Sequence, residues 1–166
     1  MTSKELLKPA ILYKEQIQNE FRKLYYTQDM IYETCSLCNW TPEIKEDSDN
    51  CSFKYAIVDN AKLIGYIDFT IDWYSSCAYN FGVLSFDRGN IKVGLTLHNV
   101  MNTIINEYKV HRIEWYVVCG NPAEKSYDRF CKKYNGNKYI YRDKLKDRQG
   151  NYLNAASYEI IFNRKE

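Results

Sequence analysis

The most constraining feature of the sequence is a strand, a turn and a helix that follow one another between residues 77 and 108. "CAYNFGVLSF", over residues 77–86, has the composition of a β-strand, and the turn "DRGN" follows it. From Leu97 onward, apolar residues recur at steps of three and four, which predicts one buried helix face. "HRIEWYVV", over residues 111–118, predicts the next strand. A strand, a helix and a strand in succession imply a right-handed crossover between two parallel strands.

Other segments predict the rest of a sheet. Residues 53–59 and 62–74 read as strands joined at Asp59-Asn60-Ala61, which predicts a hairpin. Asn121-Pro122 is predicted to cap and begin a helix that stops at Asn135-Gly136. The remaining predicted elements are a strand over 5–9, helices over 13–25 and 28–37, a loop over 41–50, and strands over 138–148 and 152–162. We therefore predict an α/β fold with a mixed, mostly antiparallel central sheet of six to seven strands, helices on both faces and one parallel β-α-β crossover.

The bulk composition favours a single domain in the cytoplasm. The 166 residues match the usual size of one domain, and we expect residues 1–166 to form it. The net charge of +2, from 23 bases and 21 acids, gives no long-range field for nucleic acid. No apolar run reaches the length of a transmembrane helix, and no signal-peptide core is visible. We therefore expect a cytoplasmic location and neither a nucleic-acid nor a membrane partner.

Six cysteines raise the question of a metal or redox site. Cys35 and Cys38 form a C-x-x-C pair, which occurs in zinc ribbons and in redox dithiols. A zinc ribbon needs a second pair with similar spacing, whereas the other four cysteines are isolated in the sequence. We therefore predict reduced thiols and no metal, with a zinc site or a dithiol as the alternatives.

The turn before the central helix predicts an anion-binding site. The first N–H groups of a helix lack partners within the helix, and the helix dipole places positive charge there. Gly89 and Gly94 allow the backbone to approach an anion closely, and Arg88 and Lys92 add charged donors. We expect a phosphate or pyrophosphate at this turn, and an ordinary turn with solvated cations is the alternative. The P-loop pattern does not fit, because no lysine follows Gly94, and the G-x-G-x-x-G fingerprint is absent.

Four segments, in this order, carry a resemblance to a known family. "LLKPAILYKEQIQNEF" matches an opening strand and first helix, and "VDNAKLIGYIDF" matches a hairpin in which a glycine follows two apolar residues. "SFDRGNIKVGLTL" stands at a pyrophosphate loop, and "NPAEKSYDRFCKKYNG" stands where the family has an Asn, an Ala and a tyrosine-bearing helix end. The sequence thereby resembles the GNAT superfamily of acyl-CoA-dependent N-acyltransferases over nearly its full length. It departs from the family in the loop: Arg88 to Gly94 spans one residue more than usual, and the middle glycine is replaced.

The resemblance implies acetyl-CoA as the acyl-donor cosubstrate and an amine acceptor, either a small molecule or a peptide; a homodimer is compatible with it. The strands ending at Phe86 and Val118 would splay apart, at a bulge near Gly82, to admit the pantetheine arm. A freed N–H near Leu84 would bind the thioester carbonyl. The residues assigned to the coenzyme are Leu84, Phe86, Arg88, Gly89, Asn90, Ile91, Lys92, Val93, Gly94 and Asn121.

The resemblance also implies two catalytic groups. Tyr127 matches the family tyrosine that protonates the departing thiolate, although its place on a buried stripe with Phe130 is also explained by packing. Glu114 is assigned as the general base, with Asp68 and Asp72 as the alternatives. We therefore predict an N-acetyltransferase. The alternatives are a catalytically degenerate GNAT-like binding domain, which the irregular loop favours, and a phosphate-binding protein of a different fold.

Overall fold

The structure is a computed structural model that describes residues 6–38, 41–46 and 50–162. The strands are β1 (Leu7–Pro9), β2 (Ser52–Asp59), β3 (Lys62–Asp72), β4 (Cys77–Ser85), β5 (Arg112–Val118), β6 (Asn137–Lys146) and β7 (Tyr152–Ile161). The helices are α1 (Lys14–Leu24), α2 (Met30–Thr34), α3 (Ile91–Asn106) and α4 (Glu124–Lys133), and a 3-10 turn, Ala10–Tyr13, precedes α1. The predicted start of the first strand at residue 5 and positions 47–49 of the predicted loop lie outside the described residues.

All seven strands form one sheet in the order β1-β2-β3-β4-β5-β7-β6. Every neighbouring pair is antiparallel except β4 and β5, which α3 connects as a parallel crossover. Successive side chains of β3 point to opposite faces of the sheet, and helices cover both faces. Tyr66 packs under Phe21 of α1 on one face, whereas Ile67 packs with Ile104 of α3 on the other. The predicted fold class is thereby confirmed. No helix in the described part of the chain is long and apolar enough to cross a membrane.

The start of α4 differs from the prediction. Asn121 is not the N-cap, because the helix begins at Glu124 and Ala123 is its N-cap residue. The Asn121 side chain accepts the N–H of Ala123 at 2.8 Å one turn earlier, and the Glu124 carboxylate accepts the N–H of Gly120 at 2.7 Å. These side chains therefore bind backbone N–H groups, as a cap would, but they stabilise the loop before α4 rather than the first turn of the helix.

Candidate functional site

Strands β4 and β5 open a cleft between their carboxyl ends. They pair at two positions, Cys77 with Arg112 and Ala78 with Ile113, and at no later position along either strand. Parallel strands that stop pairing after two residues diverge, because no hydrogen bonds hold their remaining lengths together. The splay predicted for the strands that end at residues 86 and 118 is therefore present.

A β-bulge in β4 accompanies the splay. Asp68 pairs with Gly82 and Thr70 pairs with Tyr79, so that two residues of β4 oppose the single residue Phe69 of β3. The extra residue is Asn80, whose φ of 54° is left-handed. A bulge bends and twists its strand, which accounts for the departure of β4 from β5. The predicted bulge near Gly82 lies two residues before that glycine.

The backbone of β4 turns specific amides toward the cleft. The N–H of Phe86 donates to the carbonyl of Ile64 at 2.9 Å. Because antiparallel ladders alternate, the N–H of Leu84 then points toward β3, and those of Val83 and Ser85 point toward the cleft. The donor predicted near Leu84 is therefore not Leu84 itself but one of its two neighbours. The side chain of Leu84 is 4% exposed and packs in the core beneath α1.

The turn between β4 and α3 presents free amides at a helix N-terminus. Gly89 has a φ of +81°, and no atom outside its chain neighbours lies within 4 Å of the position a Cβ would take. The backbone N–H groups of Arg88, Gly89 and Ile91 donate no hydrogen bond to the residues that the structure describes. The side-chain oxygen of Asn90 caps α3 by accepting the N–H of Lys92 at 3.0 Å. The predicted turn before α3 is thus present, and three of its N–H groups have no hydrogen-bond partner among the described residues; anion binding there stays a prediction.

The cations of this turn are bound to carboxylates. Arg88 Nη2 lies 2.7 Å from Asp29 Oδ2, and Lys92 Nζ lies 2.6 Å from Asp59 Oδ2. The other carboxylate oxygen of Asp59 is buried without a hydrogen-bond partner among the described residues. Each of the two side chains expected to contact a pyrophosphate is therefore already engaged in an ion pair with a carboxylate.

The remaining predicted coenzyme residues divide between core and surface. Phe86 packs against Phe21 of α1 with ring centroids 6.2 Å apart, and Val93 is 5% exposed in the core. Ile91 is 76% exposed, and Gly94 has open space where a Cβ would be.

Helix α2 lies across the cleft and contacts both β4 and β5. Its C-cap residue is Cys35, whose sulfur accepts the backbone N–H of Val118 in β5, and burial raises the pKa of this thiol. The Asn121 side chain ties α2 to the segment before α4 by donating to the carbonyl of Tyr32 at 2.8 Å. A segment with no predicted role therefore covers the region where the two strands separate.

Tyr127 extends from α4 toward the end of α2. Its ring meets Trp115 and Tyr158 edge-on, with centroid distances of 6.3 and 6.5 Å. Burial, with smaller contributions from the nearby Glu33 carboxylate and Cys35 thiol, raises the pKa of Tyr127 to about 12. The hydroxyl makes no hydrogen bond to any described residue. Tyr127 therefore carries a phenol that stays protonated and is free to donate.

The three predicted bases have different environments. Glu114 is bound by Arg112 at 2.9 and 3.1 Å, and Arg112 also contacts Glu159 at 3.0 Å. Asp72 accepts the hydroxyl of Ser75 at 2.7 Å and backbone N–H groups of the following turn, which hold its pKa below the usual value.

Asp68 differs from the other two carboxylates because it is largely enclosed. Its Oδ2 accepts the hydroxyl of Tyr66 at 3.1 Å, and the N–H of Gly82 also donates to the carboxylate. Burial is the largest influence and raises the pKa of Asp68 to about 6, although these two donors and the charge of Lys54 oppose the increase.

The cysteines form no metal centre in the ranges 6–38, 41–46 and 50–162. No group of three or more His, Cys, Asp or Glu side chains is arranged to hold a metal there, and all six cysteines are free thiols.

Comparison with solved structures identifies the fold. No protein-family model matches the sequence, and a search of curated proteins finds no match. Among solved structures, the spermidine N-acetyltransferase from Vibrio cholerae in complex with CoA and spermine matches with a TM-score of 0.63 and 13% identity, over 88% of this chain and 90% of that chain. The chain has the GNAT fold.

Two further GNAT-fold structures match at similar levels. The ribosomal-protein-S18-alanine N-acetyltransferase from Escherichia coli matches with a TM-score of 0.57 and 13% identity, over 72% of this chain and 74% of that chain. Another structure of a spermidine/spermine N-acetyltransferase from Vibrio cholerae, with manganese ions, matches with a TM-score of 0.54 and 15% identity, over 68% of this chain. This last match covers 66% of the chain of the protein with manganese ions, which is just under two thirds of that protein's length.

Sequence reasoning missed the contribution of α2 to this GNAT-fold cleft. Glu33, Cys35 and Asp29 lie beside Tyr127, Val118 and Arg88 respectively, although more than fifty residues separate the members of each pair. Cys35 stood out in the sequence, but only as part of a C-x-x-C pair. Local motifs cannot report such contacts, because they form only when distant segments pack together.

Proposed function

We propose that this protein is an N-acetyltransferase that transfers the acetyl group of acetyl-CoA to an amine. The observation that carries the proposal is the combination of a cleft between β4 and β5 with three free amides where β4 leads into α3. A pyrophosphate on those amides would place the pantetheine arm of the same molecule at the open end of the cleft. Neither feature is needed for a sheet that only packs helices on its two faces.

The residues of this chain would then divide the chemistry between them. The amides of Arg88, Gly89 and Ile91 hold the pyrophosphate, and the N–H of Val83 or Ser85 binds the thioester carbonyl and stabilises the negative charge that develops on its oxygen. Tyr127 gives its proton to the departing sulfur, because burial keeps the phenol protonated at any working pH. For Glu114 to act as the base, as the sequence predicts, the acceptor would first have to displace Arg112.

A second candidate function is a binding domain that retains the fold without catalysis. It is favoured by the ion pairs of Arg88 with Asp29 and of Lys92 with Asp59, which neutralise the charges that would attract a pyrophosphate. The two functions differ in whether the coenzyme binds at the amides and whether its thiol is released.

The acceptor of the proposed reaction is an amine of either a small molecule or a peptide. The names of the structural neighbours cover both classes, since they include spermidine and a ribosomal-protein alanine. We also propose, following the sequence, a cytoplasmic single-domain protein over residues 1–166 that binds neither nucleic acid nor a membrane and is compatible with a homodimer.

Thermal denaturation with and without acetyl-CoA tests the coenzyme site. A ligand at about 100 times its dissociation constant adds about 2.7 kcal/mol, or about 5–10 °C in Tm for a chain of this size. The variant Gly89→Val should abolish the shift, because a β-branched side chain is strained at a φ of +81° and would distort the turn. The matched control is Gly150→Val, since Gly150 has a φ of +91° in a different turn, between β6 and β7.

Release of free thiol from acetyl-CoA, followed with a panel of amines, tests the chemistry. We expect both a thermal shift and amine-dependent thiol release. No shift with millimolar acetyl-CoA would contradict acyl transfer, and a shift without thiol release from any amine would favour the binding domain.

A further inference from the structure

Gly82 in β4 has a neighbour that occupies the space of its missing side chain. A Cβ at this position would lie 2.1 Å from Oδ1 of Asp68, closer than any real contact allows. The two residues are a cross-strand pair, and Asp68 extends across from β3. The Asp68 carboxylate therefore rests on top of β4, and only a glycine at position 82 permits this arrangement.

This placement brings a carboxylate to the strand that borders the cleft. Neighbouring strands lie about 4.8 Å apart, so a side chain of β3 would ordinarily end one strand short of the gap. Gly82 directly precedes Val83, one of the two residues whose N–H points into the cleft. An amine positioned to attack a thioester held by that N–H would lie within reach of Asp68, directly or through one water.

We propose that Asp68 is the general base that removes a proton from the acceptor ammonium, and that Gly82 is the residue that lets it reach the cleft. This inference rests on the proposed function. The ammonium gives one proton to Asp68, which later passes it to solvent, and the neutral nitrogen attacks the thioester carbon. The C–N bond forms as the C–S bond breaks. Tyr127 protonates the sulfur and recovers a proton from the new amide nitrogen, so that one proton is released in each turnover.

The groups around Asp68 suit this role. The Tyr66 hydroxyl bonds Oδ2 from the same strand, the Gly82 N–H donates from β4, and the charge of Lys54 acts from β2. The Tyr66 hydroxyl does not compete with Asp68 for the proton, because burial raises its pKa well above its usual value and the hydroxyl is therefore already protonated. Burial meanwhile raises the pKa of Asp68 to about 6, so the carboxylate is ionised at neutral pH and still accepts protons readily.

The test is the pH dependence of kcat/KM for amine-dependent thiol release. In the wild-type protein, kcat/KM should fall as the pH decreases through about 6, because Asp68 then becomes protonated. Asp68→Asn should lower kcat by about 10²–10⁴-fold and remove that acidic limb. Asp72→Asn is the same substitution four residues along the same strand. It should change neither kcat nor the acidic limb of the pH profile, since the Asp72 carboxylate binds the turn that follows β3.

Gly82→Ala supplies an independent variant. Its methyl group would displace the carboxylate without removing it, so kcat should fall while the shift in Tm caused by acetyl-CoA remains. The inference is overturned if Asp68→Asn keeps the wild-type kcat and acidic limb, if the wild-type profile has no limb near pH 6, or if Glu114→Gln removes the limb instead. If the wild-type protein acetylates an amine and Asp68→Asn does so equally well, the inference fails and the proposed function stands. If the wild-type protein acetylates no amine, both fail.

Discussion

Neutralising Asp59 should tighten the binding of coenzyme A. Lys92 occupies the first turn of α3, beside the free amides, but its ammonium lies 2.6 Å from Asp59 Oδ2. A pyrophosphate that recruits Lys92 must first break this ion pair. The variant Asp59→Asn removes the competing charge and keeps the shape of the side chain.

The size of the effect follows from the exposure of the pair. The Lys92 side chain is 44% exposed and that of Asp59 is 15% exposed, so the pair lies between the exposed and the buried limits. Exposed pairs contribute about 0.2–1 kcal/mol, and breaking a buried pair costs about 3–5 kcal/mol. Because Lys92 retains much of its hydration, we expect about 1 kcal/mol, which corresponds to about a fivefold lower Kd for coenzyme A.

Isothermal titration of coenzyme A into wild-type protein and Asp59→Asn would measure this difference. The gain should shrink at high salt, since a partly exposed ion pair is screened. Asp128→Asn is the matched control, because Asp128 pairs at 2.8 Å with Lys138 of β6 and with no residue of the turn, so this substitution should leave Kd unchanged. An equal or weaker affinity in Asp59→Asn would refute the reasoning that Lys92 is held away from the ligand.

Three further predictions concern the Tyr127 phenol, the turn before α3 and the Asp68 carboxylate. Tyr127→Phe should lower kcat by about 10²–10⁴-fold with little change in acetyl-CoA affinity, because the ring contacts remain; an unchanged kcat would remove Tyr127 from the mechanism. Gly89→Ala should destabilise the protein by about 1 kcal/mol, because the residue has a φ of +81°. Gly94→Ala, in the exposed first turns of α3, should stabilise the protein by about 0.5–1 kcal/mol. Urea unfolding measures both free energies, and the reverse order of stability would contradict the described turn. The pKa of Asp68 rises from 3.8 to about 6 on folding, so the folded state binds this proton more tightly and the free energy of unfolding should fall by up to about 3 kcal/mol as pH rises from about 4 to about 6. Asp68→Asn should flatten that segment of the stability profile, and identical slopes in both proteins would show that the carboxyl is not buried.

The fold was predictable because the period of the apolar residues changes where the elements change. The hairpin of β2 and β3, the helical stripe from Leu97 and the strand over 112–118 each follow from local pattern, and together they require the parallel crossover. Boundaries were less accurate where a distant contact decides them. Helix α2 is only five residues long, and the segment around Asn121 is fixed by Tyr32, 89 residues away.

The sequence predicts where the candidate site lies but not which carboxylates pair with its cations. The glycine and the helix start between Arg88 and Gly94 indicate an anion site from sequence alone. The carboxylates that bind Arg88 and Lys92 are 59 and 33 residues away, so no local pattern reveals them. Gly82 shows the same difficulty. The sequence associates it with a bulge, whereas the bulge is at Asn80 and the glycine makes room for Asp68.

The sulfur of Cys35 affects the order in which the two substrates would bind. It occupies the N–H of Val118, which is one of the cleft-facing donors of β5. A pantetheine amide that uses this donor must expel the thiol, and α2, a single short helical segment, must yield with it. The donor substrate would then reshape the pocket before the amine arrives, so the enzyme would bind its substrates in a compulsory order. Initial-velocity and product-inhibition patterns would distinguish that order from random addition, and Cys35→Ala would relax it.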